Sequence, residues 1–264
     1  MNDANGANDT IEWTLDNHIA TVVFNRPHVL NAISTPMLES LIGVFDDIDD
    51  DPGVWCVVVK GKGRAFSTGA DMAERRGMSA DDVRRRRRIG LRAFSAMRAC
   101  VHPVIGQVHG FALGGGLELA LGCDIIIAAE GTTMGLVETR VGAIPGGGGT
   151  QLLPRLVGVP RAKELIFTGR KFSAEQALEW RMLNRVVPAD ELEDTVRALA
   201  LEITSSAPIA NTQAKRAINM SLDLDIRNGM EAESALYERT LTSQDRAEAV
   251  QAFAERRSPT FTGQ

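Results

Sequence analysis

The sequence predicts an α/β fold followed by a helical C-terminal region, on three observations. Short apolar runs rich in β-branched residues, at Ile19 to Phe24, Val54 to Val59, Val104 to Val108 and Cys123 to Ala128, alternate with loops and helix-period segments as far as about Val187. Beyond Asp190 the strand-like runs stop, and four helix-period segments follow at 190–206, 208–221, 228–242 and 244–257. The 264 residues are 44% hydrophobic and 24% charged, enough for one substantial core and unlike a disordered, collagen-like or fibrous chain. The expected organisation is a polar tail over 1–10, an α/β core over 11–190 and a helical region over 191–264, with no internal repeat and no low-complexity linker between them.

Taken in order, Ile11 to Leu15 and Ile19 to Phe24 read as a hairpin turning at Asp16-Asn17, and Asn25-Arg26-Pro27 ends the second strand. Thr35 is the expected cap of a helix reaching Ile48, with Met37, Leu38, Leu41, Ile42 and Phe45 recurring at helical spacing on its core face. Val54 to Val59 is a buried strand that empties into Gly61-Lys62-Gly63. Residues 82–100 form a second helix, and Val104 to Val108 and Cys123 to Ala128 are strands separated by a glycine-rich helical turn. Ser243 is the expected cap of the last helix.

Composition narrows the partners. With 29 Lys+Arg against 34 Asp+Glu the net charge is −5, which does not support a basic whole-protein surface for nucleic acid and leaves only local patches. Cys56, Cys100 and Cys123 form no CxxC pair, so neither a disulfide framework nor a thiolate zinc site is expected, and a reducing, cytoplasmic location fits. Met1 to Thr10 lacks the basic start and apolar stretch of a signal peptide. The longest apolar stretch, Phe111 to Leu121, falls short of the roughly 20 residues that span a bilayer. His18, His28, His102 and His109 show no HxxxH or HExxH spacing, so no metal site is expected.

Three glycine-bearing segments carry the chemistry. Gly114-Gly115-Gly116-Leu117-Glu118 follows a buried strand and opens a short helix, whose unpaired first amides and partial positive charge suit an oxygen that becomes negative during reaction. Glu118 stands about 4.5 Å further along that helix than Gly115. The same stretch also fits a plain helix packed on a strand. Gly61 to Met72, again after a strand, can supply a second amide donor or simply turn at the surface. Glu138, followed by Pro145-Gly146-Gly147-Gly148-Gly149-Thr150, ends at a polar helix start, but no Lys completes a nucleotide P-loop and no GxGxxG follows the first strand. Ser67 lacks a G-x-S-x-G elbow, so a serine nucleophile is not expected. The run Arg84 to Arg88 turns through about 500° of helix and so cannot share one face. Exposed Asp81–Arg85 and Asp82–Arg86 pairs are the plain expectation for it, contact with a coenzyme phosphate or another subunit the functional one.

Five motifs in order resemble the enoyl-CoA hydratase/isomerase, or crotonase, family over nearly the whole chain. They are Asn25-Arg26-Pro27 with Asn31-Ala32, Ala65-Phe66-Ser67-Thr68-Gly69-Ala70-Asp71-Met72, Gly114 to Glu118, Glu138 with Ile144-Pro145-Gly146, and Ala252-Phe253 to Arg257. The resemblance implies a crotonase-like spiral of ββα units with a C-terminal helical region that packs in homotrimers or homohexamers. It implies an acyl-CoA thioester substrate and no cofactor, coenzyme A being part of the substrate. By it the amides of Ala70 and Gly115 form an oxyanion hole. Glu118 deprotonates the attacking water and Glu138 gives the proton to Cα. His28, Val29, Thr68, Asp71, Met72, Phe111, Gly114 and Gly146 contact the substrate. The implied reaction is hydration of a 2-enoyl-CoA or its reverse. Its alternatives are a Δ3-Δ2 enoyl-CoA isomerase using Glu138 alone and, more remotely, a non-catalytic acyl-CoA or RNA-binding relative. Val137 before Glu138, where many relatives have proline, and Thr139-Arg140 after it depart from the common pattern, which leaves the acyl specificity open.

Overall fold

The computed structural model describes residues 10–264. The expected N-terminal tail therefore lies outside the described residues except for Thr10, whose carbonyl accepts a hydrogen bond from the Asn25 N–H at 2.9 Å. Strands β1 (Ile11–Asp16) and β2 (Ile19–Phe24) pair antiparallel with Asp16 opposite Ile19. The reversal turns on Asn17 and His18, at φ of 50° and 64°, and not on Asp16-Asn17. A two-residue turn of this hand matches the twist of the strands it joins, so Asp16 stays in the ladder. Helix α1 (Thr35–Asp50) is capped by Ser34, whose hydroxyl accepts from the Met37 N–H at 3.4 Å; Thr35 is its first helical residue, followed by Pro36.

The chain then runs through β3 (Cys56–Gly61), α2 (Met72–Arg75), α3 (Ala80–Ala99), β4 (Val104–Val108), β5 (Phe111–Leu113), α4 (Gly115–Leu121), β6 (Ile125–Ala129) and β7 (Thr133–Gly135). It continues through α5 (Gly149–Val157), α6 (Val159–Thr168), β8 (Phe172–Ser173), α7 (Ala174–Glu179) and β9 (Arg185–Val187). A six-stranded sheet has the order β1-β2-β3-β4-β6-β9, parallel from β2 onward, and a small second sheet has the order β5-β7-β8. From β4 to β7 the strands thus alternate between the two sheets, so the chain winds forward in repeated strand, loop and helix passes. Beyond them stand α8 (Leu192–Thr204), α9 (Pro208–Met220), α10 (Ile226–Leu241) and α11 (Gln244–Glu255), the last capped by Ser243 as expected.

Both faces of the large sheet are covered, which is why its strands read as unbroken apolar runs. One face, with Val57, Val59 and Val104, shares a core with Leu41, Phe45 and Met97 of α1 and α3. The other, with Cys56, Val58, Ile105 and Ile127, buries Leu192, Val196 and Ala200 of α8, so this first C-terminal helix is packed directly on the sheet. Lys215 of α9 reaches back to Asp124 at 2.7 Å, at the start of β6.

Candidate active site

Two bends meet at the carboxyl ends of β3 and β5. The bend after β3 is pinned from inside by the fully buried Asn31, whose amide donates to the carbonyls of Lys62 at 3.0 Å and Ala65 at 2.7 Å. Ser67, also fully buried, donates to the Asn31 carbonyl at 2.8 Å and accepts from the Gly69 N–H at 3.2 Å, so its hydroxyl is structural. Ile33 bridges to Ala70 in parallel fashion: the Ile33 N–H goes to Gly69 O at 2.7 Å and the Asp71 N–H to Ile33 O at 3.0 Å. That pattern leaves the Ala70 N–H unused by the bridge. Gly115 is the first residue of α4, and its N–H has no acceptor within the helix. The bends are pressed together where glycine is required. A Cβ on Gly69, at φ +84°, would stand 2.6 Å from Leu113 O and 3.0 Å from the Gly115 nitrogen.

Ala70 and Gly115 line one cavity of about 370 Å³, and Glu118 and Glu138 line it with them. Glu118 is 4% exposed, and its Oε1 accepts from the Gly147 N–H at 2.7 Å and the Gly149 N–H at 2.8 Å. With both amides on Oε1, Oε2 is the oxygen left to take a proton. Burial pushes the Glu118 carboxyl above its ordinary range, and the amides of Gly149, Gly147 and Gly148 pull partly back. Glu138 sits in the first turn of a short 3-10 helix, with Oε1 3.1 Å from where a Gly114 Cβ would be. Its Oε2 is buried and has no partner among the described residues. Burial, and then the charge of Glu118, push Glu138 up to about 7. One carboxylate is thus anchored by amides that oppose the effect of its burial, and the other, raised to about 7, is poised to keep its proton near neutrality.

Glycine is required again at 147 and 149. A Cβ at Gly147 would stand 2.7 Å from the Phe94 ring and 2.9 Å from Glu118 Oε2, and one at Gly149 would stand 2.9 Å from the Leu136 side chain. The outer wall comes from α2, α3 and residues 137–147. Of the five arginines, Arg86 alone is buried; its Nη2 donates to the Ile33 carbonyl and its Nε reaches Glu74 at 3.2 Å. Glu74 also accepts from the Thr35 N–H at 2.8 Å, so Arg86 ties α3 to the start of α1 and to Ile33, the bridge partner of Ala70. The expected Asp81–Arg85 and Asp82–Arg86 pairs are replaced: Asp81 pairs with Arg84 at 2.8 Å, and Asp82 closes a capping box with Ser79. Asp82 is spent on the helix start, and Arg86 is on the inward face. Replacing Arg86 by Met strips Ile33 O and Glu74 of a buried donor, so stability is expected to fall by about 1–3 kcal/mol, and kcat to fall more than KM rises. Thermal melts together with steady-state kinetics check this; unchanged kcat would mean that the Ile33–Ala70 bridge holds its place without Arg86.

The structure brings Thr68, Met72, Gly114 and Gly146 to the cavity alongside the four residues already described. His28, Val29, Asp71 and Phe111 do not line it. Asp71 accepts from the N–H groups of Ala73 and Glu74 at 3.1 Å each, capping α2, and pairs with Arg26 at 2.9 Å. His28 and Val29 form an exposed 3-10 turn, and Phe111 lies in β5, paired with Thr133. Arg140 turns away from Glu138 and donates to Thr168 O at 2.9 Å. The three cysteines are free and buried, and burial raises each thiol, Cys56 up to about 12. Sequence reasoning missed Gly147 and Gly149 as the donors that hold Glu118, and Arg86 as an anchor. The run of four glycines was the available clue, since consecutive residues without Cβ mark a close approach of backbone to another group.

Comparison with known proteins shows the family. The family model described as enoyl-CoA hydratase/isomerase matches residues 14–264. A short-chain-enoyl-CoA hydratase of Clostridium acetobutylicum is 38% identical over 240 residues, covering 90% of this chain and 92% of that protein. The enoyl-CoA hydratase domain-containing protein 2, mitochondrial, of Homo sapiens is 40% identical, covering 94% of this chain and 87% of that one. The crystal structure of an enoyl-CoA hydratase from Bacillus anthracis superposes with a TM-score of 0.94 at 39% identity, over 97% of this chain and all of that one. The spiral of alternating sheets is therefore the crotonase fold, and the chain belongs to the enoyl-CoA hydratase/isomerase family.

Proposed function

We propose that the protein adds water reversibly to 2-enoyl-CoA thioesters, giving 3-hydroxyacyl-CoA. The observation that carries this reading is the unequal pair of carboxylates over one cavity: Glu118 fixed by two amides, Glu138 without a partner for Oε2 and raised to about 7. In this mechanism the thioester carbonyl oxygen accepts the N–H groups of Ala70 and Gly115. Glu118 Oε2 takes a proton from water as the water oxygen bonds to Cβ, and the double-bond electrons move onto the carbonyl oxygen as an enolate. The two amides stabilise that charge. Collapse of the enolate draws the proton of Glu138 onto Cα, and proton exchange with solvent resets both groups. Addition on one face follows from both acids lining the same cavity. The chemistry needs no metal or redox cofactor, since the amides perform the charge stabilisation and coenzyme A arrives with the substrate.

Exposed Ile218, Ile226, Met230, Val250 and Phe253, between 62% and 86% accessible on the C-terminal helices, support assembly as a homotrimer or homohexamer. Three buried free thiols support a cytoplasmic setting. Among the described residues no helix is long and apolar enough to cross a membrane.

A panel of 2-enoyl and 3-enoyl thioesters tests the reading. Loss of conjugated-enoyl absorbance, with product heavier by one water, is the expected result. Faster conversion of 3-enoyl to 2-enoyl thioesters than hydration would favour the isomerase instead, and no turnover of any thioester the non-catalytic relative.

A further inference from the structure

The cavity wall contributed by α2, α3 and the loop after Glu138 is mostly apolar, with Met72, Met78, Val83, Leu91 and Ile144. Three arginines, Arg75, Arg86 and Arg87, nevertheless line it, and its acidic residues are the reacting pair Glu118 and Glu138. We propose that the preferred acyl groups carry a terminal carboxylate, received by Arg75 and Arg87 on this wall; the proposal rests on the hydration reading for the direction in which substrate lies.

Arg86 already has its counter-charge in Glu74 at 3.2 Å. Arg75 and Arg87 form no ion pair among the described residues, although much of each side chain is exposed. Partial burial and the neighbouring charge of Arg86 both lower the basicity of Arg75, which marks a site where positive charge is crowded. Glu138 attracts Arg75, but in the proposed reaction Glu138 must hold its proton, and so it is not a standing partner. Arg87 Nη1 lies 2.9 Å from where a Gly146 Cβ would be, so the absence of that atom lets the guanidinium rest against the loop bordering the site. A planar guanidinium matches a carboxylate through two parallel hydrogen bonds. The phosphates of coenzyme A also carry negative charge, but the whole pantetheine arm separates them from the thioester, whereas Arg75 is electrostatically coupled to the acid that serves the reacting carbons.

The test compares two 2-enoyl-CoA thioesters of equal chain length, one ending in methyl and one in carboxylate, with wild type, Arg75→Gln, Arg87→Gln and the double variant. Wild type is expected to favour the carboxylated substrate at least about tenfold in kcat/KM. That preference should shrink as ionic strength rises and vanish in the double variant. Calorimetric affinities for the two saturated acyl-CoA analogues give the same comparison without turnover, so acyl preference can be measured even if hydration fails. A wild-type preference for the methyl end overturns the proposal. So do variants that weaken both ligands equally, which would assign the arginines to a coenzyme phosphate.

Discussion

Glu138→Gln is expected to lower kcat for hydration by about 10²–10⁴, and Glu118→Gln by a similar factor, with different pH signatures. Wild-type hydration should decline above pH about 7, where Glu138 loses the proton it must donate. Glu138→Gln abolishes that decline along with most of the rate. Glu118→Gln removes one of the two influences that raise Glu138, so its remaining activity should begin to decline at lower pH than in wild type. Stability moves the other way. The folded-state pKa of Glu138 is raised above its unfolded value of 4.5, so the folded chain binds the proton more tightly, and stability falls as pH rises from 4.5 to about 7. Glu138→Gln should therefore stabilise the protein at pH 8, by about 1 kcal/mol once solvent screening of this partly exposed group is allowed for, and leave it unchanged at pH 4. Thermal melts at the two pH values check this, with an expected rise of about 2–4 °C at pH 8. A variant that is slower and also less stable at pH 8 would mean that Glu138 is a structural hydrogen-bonding group, not a strained acid.

Gly69→Ala is expected to cost about 10²–10³ in kcat through the proposed oxyanion hole alone, with both glutamates untouched. The added methyl would stand 2.6 Å from Leu113 O and 3.0 Å from the Gly115 nitrogen, so the two bends must part. Ala70 and Gly115 then stop converging on one oxygen. Gly131→Ala separates this effect from backbone strain. Gly131 also has positive φ, at +73°, but a Cβ there meets nothing within 4 Å. It should lose about 1–2 kcal/mol of stability while keeping its rate. Equal kinetics for the two variants would show that the close approach at Gly69 has no part in catalysis.

The α/β alternation and the positions of the long strands along the chain were legible because a strand covered on both faces must be apolar throughout. The short strands β5, β7 and β8, two or three residues each, were not, since so few residues carry no periodicity. Asp71 shows where a motif outran geometry: it stands beside Ala70 in the chain, yet its carboxylate turns back to cap α2 and to meet Arg26. The arginine run shows the converse. Arg86 looked like its neighbours in sequence and became the buried one, because the helical rotation of α3 points that position at Ile33 and Glu74.

By itself the sequence determined which groups were available: two carboxylates, glycines at the bends, and an apolar frame to bury them. The tertiary structure alone decided that the carboxylates are unequal. Glu118 is held by amides 29 and 31 positions away, while Glu138 finds no partner for Oε2. Main-chain N–H groups are the same in every residue but proline, so no side-chain pattern records where they point; packing aims them.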